Sequence, residues 1–188
     1  MSVRLEPQYP LETERLLLRP FVAEDFEALL AIHSQAEVAR YLYSEPLSED
    51  EVRASLDRKI GQAAIRAERE NLSLAVVLKA TSELIGDCTL FYLSCLHRQG
   101  EIGFAFNPDH HGRGYATEAA RILLQLAFEE LDLHRVIGRL EARNTASARL
   151  LERLGMRQEA HFVENEFVKG EWQSELVFAI LDREWRAR

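Results

Sequence analysis

One continuous stretch constrains this chain more than any other: an apolar strand pattern, a glycine-containing turn, and a long apolar helix pattern. It reads EIGFAF, then NPDHH, then GRGYATEAARILLQLAFEE, and starts at Glu101. Ile102, Phe104 and Phe106 alternate, so they share one face of a strand. Pro108 ends the strand. From about Ala116 to Leu131 the only polar stripe is Glu118, Arg121, Gln125 and Glu129, which predicts a helix with most of its surface buried.

Upstream, ERLLLRPF reads as a first strand ended by Pro20, and AEDFEALLAIHS carries helical spacing at Phe26, Leu29, Leu30 and His33. LSEDEVRASLDRKIGQAAIRAERE reads as one long amphipathic helix with Ser48 as N-cap and Val52, Leu56, Ile60 and Ala64 as its stripe. LSLAVVLK and LIGDCTLFYL are strands across the hairpin-like gap ATSE. Downstream, HRVIGRLEA is a strand, and NTASARLLERLG is a short helix capped by Asn144 or Thr145 and stopped by Gly155. MRQEAHFV and SELVFAIL are closing strands, with ENEFVKGEWQ as a polar connection. The order β-α-α-β-β-β-α-β-α-β-β predicts an α/β (α+β) fold. A mixed, mostly antiparallel central sheet would carry helices on both faces. No repeat or linker divides the chain, so residues 1–188 are expected to form a single domain.

The 188 residues are 47% hydrophobic and 29% charged, ordinary for a globular protein with a sizeable core. A net charge of −8 argues against coating nucleic acid or a membrane surface, and leaves small polar substrates and basic peptides open. No apolar leader follows MSVRLEPQYP, so a cytoplasmic location is the expectation. Cys88 and Cys95 match no disulfide or CxxC pattern and read as free thiols. The six histidines lack metal-site spacing, so no metal is expected.

The first-turn amides of a helix have no internal partner and carry the positive end of its dipole. Glycine lets an anion approach that backbone closely. Gly112 and Gly114 therefore either cradle a phosphate or simply shape a tight turn. A Walker A loop would need a lysine that is absent, and a dinucleotide fingerprint would need a glycine where Thr117 stands.

HGRGYATEA resembles the acyl-CoA signature of the GNAT N-acetyltransferase superfamily, with His111 in the usual Gln/Arg position, Gly114 as the fixed glycine and Ala116 as the last small residue. TERLLLRPFVAEDFEALLAIHS resembles the opening of the ribosomal-protein N-terminal acetyltransferase (RimJ/RimL-like) branch. IGFAFNPDHHGRGYATEAARILLQLAFEELDLHRVIGRLEARNTASARLLERLGM resembles the core of that branch, and SELVFAIL its last strand.

The resemblance implies an acetyl-CoA-dependent N-acetyltransferase and no metal. His111, Gly112, Arg113, Gly114, Tyr115, Ala116 and Thr117 would form the diphosphate loop. Phe104, Ala105 and Phe106 would lie beside the pantetheine arm, with the Phe106 amide facing the thioester carbonyl. Asn144 would contact the arm as well as capping its helix. The tyrosine acid that many members place seven residues beyond this asparagine is absent, because Leu151 stands there. Ser147 would orient the thiol, or merely satisfy the helix end. Glu166 would serve as base, with Glu101 as rival.

The acceptor would be a primary amine, either a protein N-terminus or a small molecule, and a homodimer is the family-level expectation. The alternatives are a non-catalytic acyl-CoA-binding module that kept the fold, and a nucleotide-binding enzyme.

Overall fold

The computed structural model describes residues 4–188. One eight-stranded sheet runs through them: β1 (Leu11–Glu12), β2 (Leu16–Arg19), β3 (Asn71–Leu78), β4 (Glu83–Ser94), β5 (Gln99–Phe106), β6 (Arg135–Glu141), β7 (Arg157–Val168) and β8 (Glu171–Leu181). Their spatial order is β1-β2-β3-β4-β5-β6-β8-β7. Every neighbouring pair is antiparallel except β5 with β6. The helices are α1 (Phe26–His33), α2 (Ala36–Ala39), α3 (Glu49–Ile60), α4 (Tyr115–Gln125), α5 (Thr145–Arg153) and α6 (Asp182–Arg186). The mixed sheet with helices on both faces is the architecture the patterning predicts. Among the described residues no helix is long and apolar enough to cross a membrane.

Alternation sorts the core into two layers. Ile102 and Phe106 of β5, Val136 of β6 and Phe178 and Ile180 of β8 face α4 and α5, with Leu123, Phe128, Leu150 and Leu151 closing that layer. On the other face, Ala75 and Val77 of β3 pack with Phe21, Leu29, Ile32, Val52 and Leu56 beneath α1 and α3. The buried Ala119, Ala120, Leu123 and Leu124 bear out the apolar α4.

Two expected elements differ from the sequence reading in extent and one, α4, only in the type of its last turn; the short β1, α2 and α6 are additional. The long helix stops at Ile60 rather than running on past Ala64. Gly61 follows it, the Gln62 carbonyl accepts from Ser73, and Ile65 exchanges backbone hydrogen bonds with Leu5. The chain is thus drawn back to the sheet, where Ile65 is fully buried. The polar connection ENEFVKGEWQ is strand: β7 runs to Val168, which pairs with Glu171 across a two-residue turn at Lys169 and Gly170. Both turn residues have positive φ (52° and 80°), as tight hairpins require. β7 is a largely exposed edge strand, so its polarity is no bar to strand structure. Finally, α4 continues through a wider turn from Leu126 to Glu130, closed by the Leu131 amide on the Leu126 carbonyl.

A buried charge cluster fastens the α1 and α3 layer. Asp87 of β4 is 5% exposed and takes His33 Nε2 of α1 at 2.9 Å and Lys59 Nζ of α3. Burial alone would raise its pKa, but Lys59 and His33 outweigh that and hold the carboxyl well below its usual range. Removing one partner of such a cluster leaves an uncompensated buried charge. Asp87→Ala is therefore expected to lose about 3–5 kcal/mol of stability in urea unfolding at pH 7. Because the folded pKa is depressed, the wild-type contribution is complete above about pH 4 and lost as pH falls further, so the two proteins should converge in acid.

Candidate active site

The site begins with a parting of strands. β5 and β6 pair only over Gln99↔Arg135, Gly100↔Val136 and Glu101↔Ile137. Beyond Glu101 they separate, while β4 stays paired to β5 as far as Gly86↔Phe106. The Arg98 carbonyl accepts from His134 and Arg135 on the β6 side, and the Asn107 amide donates to Ile85 on the β4 side. By alternation, the amides of Phe104 and Phe106 turn toward the gap and have no strand partner. Unpaired edge groups of this kind are ready to bind an extended ligand as an added strand. A cavity of about 690 Å³ fills the gap, lined by Phe104, Ala105, Phe106, Asn144, Ser147 and the helix mouth.

That mouth leaves backbone donors free. Gly114 is the N-cap of α4, at φ 82°, and the first intrahelical bond is Glu118 to the Gly114 carbonyl at 3.0 Å. The amides of Tyr115, Ala116 and Thr117 therefore have no intrahelical acceptor. Gly112 is also left-handed, at φ 74°, with open space where a Cβ would point. Thr117 Oγ1 is buried without a partner among the described residues, and Thr117 lines the cavity. A phosphate there would meet free backbone donors, one unsatisfied hydroxyl and the positive end of a helix.

A second cavity of about 180 Å³ opens at the fork itself, lined by Glu101, Arg139, Glu141, Glu166, Glu175 and Tyr43, among others. Glu101 and Ile137 sit on the last paired rung; Arg139, two residues on, shares their face, and Glu175 reaches it from β8. Glu175, 4% exposed, is bound by Arg139 Nε at 2.6 Å. Glu141 is bound by Arg143 Nε at 2.9 Å. Glu166 accepts from Tyr43 Oη at 2.7 Å, and Lys169 Nζ donates to the Ala39 carbonyl at 2.6 Å, so the β7–β8 hairpin is fastened over this cavity to the segment around α2. Burial, then Glu166, pushes the Tyr43 phenol up to about 12. Glu101 has no hydrogen-bond or ion-pair partner among the described residues. Burial raises its pKa, Arg139 opposes this and Glu175 adds to it. Tyr41 and Leu42 line both cavities, so the two adjoin.

The structure thus gathers Phe104, Ala105, Phe106, His111, Gly112, Gly114, Tyr115, Ala116, Thr117, Asn144 and Ser147 around one cavity. Arg113 closes the same loop with an exposed side chain. Asn144 Oδ1 accepts from the Ser147 amide at 3.1 Å, which is the helix cap. His111 Nε2 lies 3.1 Å from the Phe106 carbonyl oxygen. Leu151 is in the core against Gly138, so no polar group occupies the position of the missing tyrosine. Glu166 lines the other cavity, apart from Ser147.

Sequence reading missed Tyr43, Glu175 and Arg139, which reach the site from separate elements. It also missed His110, whose Nε2 meets Glu83 at 3.1 Å while its buried Nδ1 has no partner among the described residues, and which lines the larger cavity. The pair HH in the loop was the only signal available.

Residues 15–157 match the family model described as acetyltransferase (GNAT) domain. The N-acetyltransferase YnaD of Bacillus subtilis, itself described as uncharacterized, is 33% identical over 93% of this chain and 98% of its own length. The spermidine N(1)-acetyltransferase of Vibrio cholerae is 27% identical over 93% of this chain and 97% of its own. A GNAT-family acetyltransferase structure from Bacillus anthracis superposes with a TM-score of 0.82 at 32% identity, covering 98% of this chain and all of that one. The chain belongs to the GNAT acetyltransferase family, and acetyl transfer is the general activity this membership supports.

Proposed function

We propose that this protein transfers an acetyl group from acetyl-CoA to a small cationic amine. The observation that carries the reading is the fork: an open backbone edge leading from an anion cradle on one side to an acid-lined cavity at its apex. In this reading Gly112 through Thr117 take the diphosphate, Phe104 to Phe106 pair with the pantetheine arm, and Asn144 and Ser147 flank it. The loop and the opening TERLLLRPF support a RimJ/RimL-like lineage within the family. The small acidic cavity, with four glutamates against one lining arginine, favours a compact acceptor carrying more than one positive charge over a protein N-terminus. The spermidine-acetylating relative agrees with this choice. A purely binding module would have no use for an acid-lined chamber at the thioester end.

The chemistry needs a neutral amine. An ammonium entering the cavity gives one proton to Glu101, whose free carboxylate is made more basic by burial. The amine nitrogen then forms a bond to the acetyl carbonyl carbon, and an amide facing the gap, that of Phe106 or Phe104, stabilises the negative oxygen. The C–S bond breaks as the carbonyl re-forms. The coenzyme A thiolate leaves, hydrogen-bonded by Ser147 Oγ, and takes the proton that the acylated nitrogen sheds, directly or through water, while Glu101 returns its own proton to solvent. Glu166, tied to Tyr43, closes the cavity and adds to its negative potential rather than taking the proton.

Two measurements check this. In a mass-spectrometric assay with acetyl-CoA, diamines and polyamines should be acetylated at least tenfold faster than peptides with free N-termini. Equal or better acetylation of the peptides would refute the acceptor assignment. Glu101→Gln should lower kcat by about 10²–10⁴-fold, the usual contribution of a general base. The wild-type rate should fall on the acid side at a pH above that of an exposed carboxylate, because a raised pKa keeps Glu101 protonated to higher pH. That limb should vanish in the variant, and an unchanged profile would remove Glu101 from the role.

A further inference from the structure

Opposite the open face of the anion cradle lies a side chain from the far end of the sequence. Arg15 immediately precedes β2, and its carbonyl is held by the Lys79 amide at 3.0 Å. Its Nη1 donates to the Arg113 carbonyl at 2.9 Å. Its guanidinium lies 4.6 Å from the Tyr115 ring centroid. Its Nη2 stands 3.5 Å from where a Cβ on Gly114 would be.

The same guanidinium grips Glu118, the only acid in the first turn of α4, with Nε at 2.8 Å and Nη2 at 2.6 Å from Oε2. Glu118 Oε1 accepts from Thr13 Oγ1 at 2.5 Å and from the Arg15 amide at 2.9 Å. Every strong acceptor site of that carboxylate is used, and these bonds outweigh burial in holding it ionised.

Two consequences follow from this geometry. In a trans peptide the carbonyl and the next amide point in opposite directions. Holding the Arg113 carbonyl on Arg15 therefore turns the Gly114 amide away from Arg15, toward the mouth. Without that hold, Gly112 and Gly114 leave the loop free to take other conformations. Secondly, a bare carboxylate one turn inside the cradle would repel a diphosphate, and Arg15 cancels it.

We propose that Arg15 is a positioning residue for donor binding: it orients the Arg113–Gly114 peptide and neutralises Glu118 so that the α4 mouth can accept a diphosphate. This rests on the donor reading above. A lysine could supply the charge but not the fork that spans Glu118 and the Arg113 carbonyl together.

The test uses the full chain, with calorimetry for coenzyme A and for pantetheine, which lacks the diphosphate, and steady-state kinetics with acetyl-CoA. Arg15→Met should raise the Kd for coenzyme A and the KM for acetyl-CoA about tenfold or more, while kcat stays within about twofold; one tenfold step is about 1.4 kcal/mol. The preference for coenzyme A over pantetheine should fall by the same factor. Arg15→Lys should fall between wild type and Arg15→Met. Adding Glu118→Gln to Arg15→Met should restore part of the affinity, because the charge left bare is gone.

A folded Arg15→Met protein with unchanged coenzyme A affinity would overturn the proposal. So would an equal loss of affinity for both ligands, which marks a general structural role. Should Arg15→Met fail to fold, Arg15→Lys carries the same criterion. Failure of the wild-type protein to bind coenzyme A would instead overturn the donor reading on which the proposal stands.

Discussion

The rest of the site depends on one failure of pairing. β5 and β6 run parallel for three residue pairs and then separate after Glu101. Each unpaired backbone group in a sheet is costly unless water or a ligand satisfies it. The chain keeps β5 straight by pairing its other edge with β4, and it directs β6 to β8, whose register with it runs from Arg135↔Leu181 to Glu141↔Glu175. The open edge is therefore held by the two half-sheets on either side, so no loop needs to fold over to create it. Rigid support of this sort is what a site needs to keep donors in place before the ligand arrives.

The fork also separates the chemistry by face. Helices α4 and α5 lie on the face that carries Phe104, Phe106 and the anion cradle. Glu101, Arg139 and Glu175 project from the opposite face, beneath Tyr43 and the hairpin. A donor arm lying in the gap reaches both faces, whereas an acceptor in the acid cavity meets only its end. In the proposed reading, this layering would keep the donor's diphosphate away from four carboxylates without any barrier element. The Asp87–His33–Lys59 cluster contributes indirectly: it fastens α1 and α3, and the segment after α1 supplies Tyr41, Leu42 and Tyr43 to the cavities.

The legible parts of the sequence were those in which one local rule decides. The β5-loop-α4 stretch combined alternation, a proline stop and an apolar helix, and the structure follows it closely. Asn144 capped its helix as its residue type suggests. Spacing alone makes the helix after Ser48 too long, because the Val52-Leu56-Ile60 stripe continues to Ala64, and the bridge from Ile65 to Leu5 that ends it is a tertiary contact. The β7–β8 hairpin was hidden because an exposed edge strand has no apolar alternation to show, and the Lys169–Gly170 turn was its only mark.

The carboxylate pairs of the acid cavity were beyond reach of spacing. Glu101, Glu175 and Glu166 come together only through the order β5-β6-β8-β7. Arg15 and Glu118, 103 positions apart, meet for the same kind of reason. Nor does any residue announce that two strands stop pairing.

The direct test of the fork as the donor site is amide hydrogen exchange, read residue by residue by NMR with and without saturating acetyl-CoA. The Phe104 and Phe106 amides should exchange quickly in the free protein and slow strongly when the donor is bound, while the Asn107 amide, already bonded to Ile85, changes little. If acetyl-CoA binds and leaves Phe104 and Phe106 unprotected, the open edge is not where the donor lies.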